Sequence, residues 1–154
     1  MKENLKEAIR LILREECGPG HEDDGALHLD PDDPGGTTKY GISQKAFPKQ
    51  DIAKLTKEDA EEIYEKVYWR ACSCDNLTGG IDLITFDCAV NCGSSVARKI
   101  GAKAVDVADF IMERRLFYEN LVVKRPSLEK FLPGWRKRLD RIGNIAIEWE
   151  ARNG

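Results

Sequence analysis

Residues 18–37 constrain this chain more than any other segment. They hold five glycines, three prolines (Pro19, Pro31, Pro34) and six acids, with neither helical nor strand periodicity. Proline fixes φ and removes a backbone donor, and glycine opens left-handed conformations, so no helix carries such a stretch through its interior. Long irregular segments inside compact domains are usually functional. Whatever the chain folds into must therefore carry a long, acidic, turn-rich excursion near its start.

Helical patterning surrounds that excursion. Leu5, Ala8, Ile9, Ile12 and Leu13 follow the i, i+3, i+4 spacing of an amphipathic helix over residues 3–16, which Gly18-Pro19-Gly20 ends. Lys39 to Ser43 suit a short strand or a buried turn. Thr56-Lys57-Glu58-Asp59 begins like a capping box, and the helix it opens is predicted to reach about Arg70, burying Ala60, Ile63, Tyr64, Val67 and Tyr68. Residues 81–93 are apolar on every side and read as a central buried helix. Shorter and longer helices are predicted over Ser94–Ile100 and Val105–Leu121, and Leu128–Ala151 closes the chain with one or two more. The expectation is an all-α, mainly helical single domain over residues 1–154, with a Gly/Asp-rich loop or small hairpin near the N-terminus.

Composition narrows the function. The 154 residues are 42% hydrophobic and 33% charged, which is globular rather than disordered. A net charge of −3 excludes a broad basic surface for nucleic acid. No apolar run approaches the length of a membrane span. The polar start, Met1-Lys2-Glu3-Asn4, has no signal-peptide core behind it, so synthesis in the cytoplasm with export by another system is expected. Five cysteines, an odd count, do not form a disulfide framework.

Four constellations can carry chemistry. Glu16 lies three and four residues beyond Leu13 and Ile12, on or beside the buried face of the first helix. There it is either a general acid tuned by desolvation or a solvated last-turn residue. Asp30-Pro31-Asp32-Asp33-Pro34-Gly35-Gly36-Thr37-Thr38 holds three acids in a set geometry. It lacks the closing acid of an EF-hand, and is either a plain turn-rich loop or the second carboxylate that glycoside hydrolysis needs. Cys72-x-Cys74 and Cys88-x-x-x-Cys92 miss the usual zinc spacing, and Cys17 with His21 or His28 lacks a nameable orienting partner. Trp135-Arg136-Lys137-Arg138, with Arg141 and Trp149, make either a core-plus-solvated face or a contact for an anionic polymer.

These residues resemble glycoside hydrolase family 108, the phage and bacterial N-acetylmuramidases of lysozyme-like fold. The likeness rests on the first helix ending in Leu13-Arg14-Glu15-Glu16, on Asp30 through Ser43, and on Val67-Tyr68-Trp69. It continues through Phe86-Asp87-Cys88-Ala89-Val90-Asn91-Cys92-Gly93, Arg115-Leu116-Phe117-Tyr118 and Phe131-Leu132-Pro133-Gly134-Trp135-Arg136-Lys137-Arg138. The family's usual Glu-Gly-Gly-Tyr is replaced here by Glu16-Cys17-Gly18, with extra residues before Asp30, so Glu22 and Asp24 rival Glu16 for the acid's place.

The resemblance implies hydrolysis of the β-1,4 bond between N-acetylmuramic acid and N-acetylglucosamine in peptidoglycan. It implies Glu16 as general acid, Asp33 (or Asp30) as the supporting carboxylate and Thr38 as the residue that holds water, with Thr37 close behind. Tyr40, Gln44 and Asn91 are implied cleft residues. The resemblance also implies a catalytic half over residues 1–93 and a helical half over residues 94–154, described in the family as a predicted peptidoglycan-binding region. Neither a metal nor an organic cofactor is expected. The expected partner is the glycan strand, met at the cell wall after release through a holin or a secretion system, by a monomer that neither inserts into membrane nor binds nucleic acid. A lysozyme-like module that binds peptidoglycan without cutting it is the alternative.

Overall fold

The computed structural model describes residues 2–29 and 36–153. The chain is mainly helical, as expected, with one small hairpin among the described residues. Its elements run α1 (Leu5–Cys17), β1 (Thr38–Lys39), β2 (Ile42–Ser43), α2 (Lys57–Tyr64), α3 (Ile81–Cys92), α4 (Ser94–Gly101), α5 (Val107–Lys124) and α6 (Leu132–Asn153). Contacts divide them into two compact units. One is Lys6–Val67, and the other is the chain from Tyr68 onward together with the first residues through Leu5.

In the Lys6–Val67 unit, α1 buries Ala8, Ile9, Ile12 and Leu13 as its spacing predicts. β1 and β2 pair antiparallel, with Thr38 opposite Ser43 and Lys39 opposite Ile42. His28 adds a bridge on the other side of β1: its N–H donates to the Thr38 carbonyl at 2.8 Å, and the Thr38 N–H returns a bond at 2.9 Å. α2 begins with the predicted capping box. The Thr56 hydroxyl accepts from the Asp59 N–H and the Asp59 carboxylate from the Thr56 N–H, so Asp replaces the usual Glu without loss of the motif.

The α2 prediction fails at its far end. The α-helical ladder stops at Tyr64, a π turn follows over Glu65–Trp69, and a 3-10 turn over Arg70–Cys72. Tyr64 and Trp69 are buried while Val67, expected inside, is 41% exposed. The wider π turn, with its i→i+5 hydrogen bonds, breaks the α spacing on which the prediction for Val67 rests.

The second unit is built around α3, which is buried from Asp82 through Ala89. A helix apolar on all sides belongs in an interior. Gly80 starts it with φ +94°, and a Cβ there would fall 2.4 Å from the Ala146 carbonyl oxygen of α6. Only glycine permits that approach. Asp82 closes the end by accepting from the Gly80 and Leu83 N–H groups, and the Asn4 side chain donates to its other oxygen. Trp69 lies edge-on to Phe86 and donates its indole N–H to Asp75. The closing helices resolve as a 3-10 segment over Pro126–Phe131 followed by α6 without a break.

α3, α5 and α6 are joined by one carboxylate. Asp87 is 0% exposed and accepts from Arg114 at 2.7 Å and from Arg138 at 2.9 Å. Arg114, also 0% exposed, donates further to the Tyr118 hydroxyl and to Asn91 Oδ1. Burial works to raise the Asp87 pKa, but the adjacent Arg114 and Arg138 charges prevail and hold it below the usual carboxylate range. A lowered folded pKa contributes stability that is present above the unfolded carboxylate value of about 3.9 and is lost as pH falls through the folded one. Asp87→Asn removes the carboxylate that two buried guanidinium groups share. It is expected to cost about 3–5 kcal/mol, read as a lower Tm at pH 7 by thermal melt. A Tm within a degree of wild type would refute this account of the core.

Candidate active site

The acid candidates Glu16, Glu22 and Asp24 gather at the C-terminal end of α1. Gly18 takes φ +87° and its N–H donates to the Arg14 carbonyl at 3.0 Å, a left-handed helix stop. Glu16 therefore sits in the last turn of a firmly ended helix, half-buried. The hairpin turn lies directly against it. Tyr40 (φ +53°) and Gly41 (φ +72°) are the two central residues, and positive φ at both is the type I′ pattern that suits a two-residue hairpin. A Cβ on Gly41 would fall 2.6 Å from Glu16 Cβ, 2.9 Å from Glu16 Cγ and 2.7 Å from the Tyr64 hydroxyl. The Gly41 backbone thus forms a wall against the stem of Glu16.

The rival acids come to the same place. Cys17 has its thiol pKa pushed up to about 11, first by burial and then by the charges of Glu16, Asp24 and Glu22. All three carboxylates therefore face the Cys17 region, and they differ in what they are committed to. Asp24 accepts from the Ala26 N–H at 2.9 Å and from His21 Nδ1 at 2.9 Å. The Ala26 bond, then the His21 bond, hold its pKa below the usual carboxylate range, so Asp24 is an anion that organises its loop and a poor proton donor. Glu22 accepts from the Gly20 N–H at 2.8 Å and closes its own turn. Glu16 is the acid of the three carried on a helix. A thiol raised to about 11 is protonated at neutral pH, which leaves Cys17 without nucleophilic character, although His21 has found an orienting carboxylate in Asp24.

Other predicted site residues are placed differently. Thr38 lies in the middle of the small ladder, with its hydroxyl donating to the Gly36 carbonyl at 3.5 Å, and Thr37 accepts from the Gln44 N–H through its carbonyl. Tyr40, expected in a cleft, is 4% exposed, and its hydroxyl donates to the Asp23 carbonyl, which makes it a loop anchor. Gln44 spends its amide inside the 44–52 loop, donating to the Phe47 and Gln50 carbonyls. Asn91 belongs to the Arg114 cluster, its Oδ1 accepting from Tyr118 at 2.6 Å. Asp30 and Asp33 lie outside the described residues. All five cysteines are free thiols, and among the described residues no three His, Cys, Asp or Glu side chains converge on a metal position.

Two residues escaped the sequence reading. Tyr64 counts there only as a core aromatic, yet its hydroxyl donates to the Tyr40 carbonyl at 2.7 Å. Lys57 reads as a first-turn helix residue, yet its ammonium pairs with Asp23 and pins the loop to α2. Gly41→Ala puts a methyl group into the Glu16 stem and strains a left-handed φ. It is expected to lower stability by roughly 2 kcal/mol or more, measured by chemical denaturation; an unchanged midpoint would show that the wall is not rigid.

Comparisons with known proteins agree with this architecture. The family profile described as glycosyl hydrolase 108 matches residues 19–93. That segment holds Glu22, Asp24 and the hairpin, and it begins two residues after the end of α1. No curated protein matches the chain. Among solved structures, SagA from Brucella abortus superposes with a TM-score of 0.75 at 23% identity, covering 97% of this chain and 97% of that one. The mainly helical, lysozyme-like fold expected from the sequence is the fold observed. Residues 19–93, just under half of the chain, are thus similar to the glycosyl hydrolase 108 family.

Proposed function

We propose that this protein is a peptidoglycan hydrolase, an N-acetylmuramidase that cuts the β-1,4 bond between N-acetylmuramic acid and N-acetylglucosamine. The observation that carries this reading is the contact between the last turn of α1 and the Gly41 turn. It fixes the stem of one carboxylate, Glu16, while the neighbouring acids serve their own loop. A general acid in glycoside hydrolysis must be held rigidly beside the leaving oxygen, and a helix end backed by a tight turn does that.

Glu16 protonates the leaving-group oxygen in this mechanism. Asp33 (or Asp30) supports the oxocarbenium-like charge or the attacking water, and Thr38 orients that water. The separation of the two carboxylates then decides between inversion and retention. The glycan strand is the partner, and the setting is the bacterial cell wall, reached through a holin or a secretion system.

Turbidity loss of purified peptidoglycan, with mass spectrometry of the released sugars, tests the reading. Wild type is expected to release reducing N-acetylmuramic ends, and Glu16→Gln to lose on the order of 10²–10⁴-fold in rate. Glu22→Gln and Asp24→Asn are expected to keep most of it. Activity that follows Glu22 or Asp24 instead moves the acid into the loop. Anhydro-muramic ends identify a lytic transglycosylase, and wall binding without any released sugar identifies a binding module.

A further inference from the structure

We propose that the Tyr64 hydroxyl is a positioning group for Glu16, acting through the Tyr40 carbonyl and the Gly41 turn. This inference rests on Glu16 being the acid of the reaction above.

The geometry begins with a strained residue. Tyr40 is a bulky side chain in the left-handed region at φ +53°. Such a conformation costs roughly 1–2 kcal/mol and persists only where the surroundings over-determine it. Three bonds do so here. The Tyr40 N–H donates to the Gly25 carbonyl at 2.7 Å, its hydroxyl donates to the Asp23 carbonyl at 2.8 Å, and its carbonyl accepts from the Tyr64 hydroxyl at 2.7 Å. The first two tie Tyr40 to the preceding loop. The third ties the turn to α2, across the side of the hairpin where Glu16 sits.

Gly41 shows how that tie reaches the acid. One point beside its Cα lies within 2.7 Å of the Tyr64 hydroxyl and within 2.6 Å of Glu16 Cβ. Hydroxyl, turn and carboxylate stem therefore meet at a single place. Tyr64 is 1% exposed, and it is the last residue before α2 gives way to the π turn. Its side chain is thus anchored by packing, with its hydroxyl donating to the Tyr40 carbonyl. Removing the hydroxyl frees the Tyr40–Gly41 turn to withdraw, and space opens for other rotamers of Glu16. A displacement of about 1 Å at a catalytic group is enough to cost up to a hundredfold in rate.

Tyr64→Phe removes the hydroxyl and keeps the ring. On soluble glycan fragments, kcat is expected to fall between about tenfold and a hundredfold with KM nearly unchanged, since ground-state binding is untouched. Tm is expected to fall about 2–4 °C, as for the loss of one hydrogen bond. Thr56→Ala deletes the cap of the same helix and serves as the matched control, with a similar drop in Tm and an unchanged kcat. Gly41→Ala puts a methyl group at that meeting point and is expected to reproduce the kcat loss.

A Tyr64→Phe enzyme that keeps wild-type kcat overturns the proposal, as does one whose loss lies in KM or is matched by Thr56→Ala. A crystal structure of Tyr64→Phe reads the same question without turnover. A shifted turn with Glu16 in a new rotamer supports the proposal, and unchanged positions refute it. Wild-type turnover in Glu16→Gln would instead overturn the choice of acid, leaving the crystallographic result to decide what Tyr64 holds.

Discussion

The larger helical unit depends on one buried carboxylate. Asp87 lies at 0% exposure between two guanidinium groups, one from α5 and one from α6. Hydrophobic burial around Phe86, Phe110 and Leu139 drives these helices together but is indifferent to direction. The Asp87 bonds are directional. They require Arg114 and Arg138 to arrive at set angles, so they fix how the helices register on one another. Arg114 then extends that order to Tyr118 and Asn91, at the end of α3. A buried ion cluster of this kind adds less net stability than its Coulomb energy suggests, because three charges have left water. Its effect is specificity of arrangement.

The smaller unit reaches the same end with backbone. Its hairpin has two residues in each strand, too few to be stable alone. It is held instead by bonds leaving the turn: Tyr40 to Gly25 and Asp23, Tyr64 to Tyr40, and His28 to Thr38. These bonds support a left-handed turn pressed against the last turn of α1. Strain concentrated beside a half-buried acid is the usual signature of a site whose geometry is held rather than averaged. Glu22 and Asp24, the loop acids that with Glu16 bear on Cys17, each accept a local backbone hydrogen bond and so organise their own turns.

Much of this was legible in the residues. The spacing of Ala8, Ile9, Ile12 and Leu13 determines α1 and its buried face, because a 3.6-residue period leaves no other structure that buries all four. Thr56 and Asp59 mark the start of α2, since capping is a local interaction. The unbroken apolar run of α3 marks a buried helix, and the glycines and prolines after Cys17 mark an excursion. The likeness to family 108, read from short motifs spread along the chain, named the family whose profile matches residues 19–93. Each of these follows from interactions between residues close in sequence.

What remained hidden required partners distant in sequence. Asp87 sits in an apolar helix, and its partners lie 27 and 51 residues away, so its pattern alone reads as a polar intruder. Tyr40 and Gln44 also bond within the protein, to the Asp23 and Phe47 carbonyls, which their local sequence does not announce. The π turn that expels Val67 is set by where Tyr64 and Trp69 must be buried, which no local propensity encodes. The contact between Glu16 and the Gly41 turn is of the same kind. Sequence determined that acids cluster after the first helix and that a tight turn follows. Tertiary structure alone decided which acid the turn leans on, because that contact joins residues 16, 41 and 64, and only packing brings them to one point.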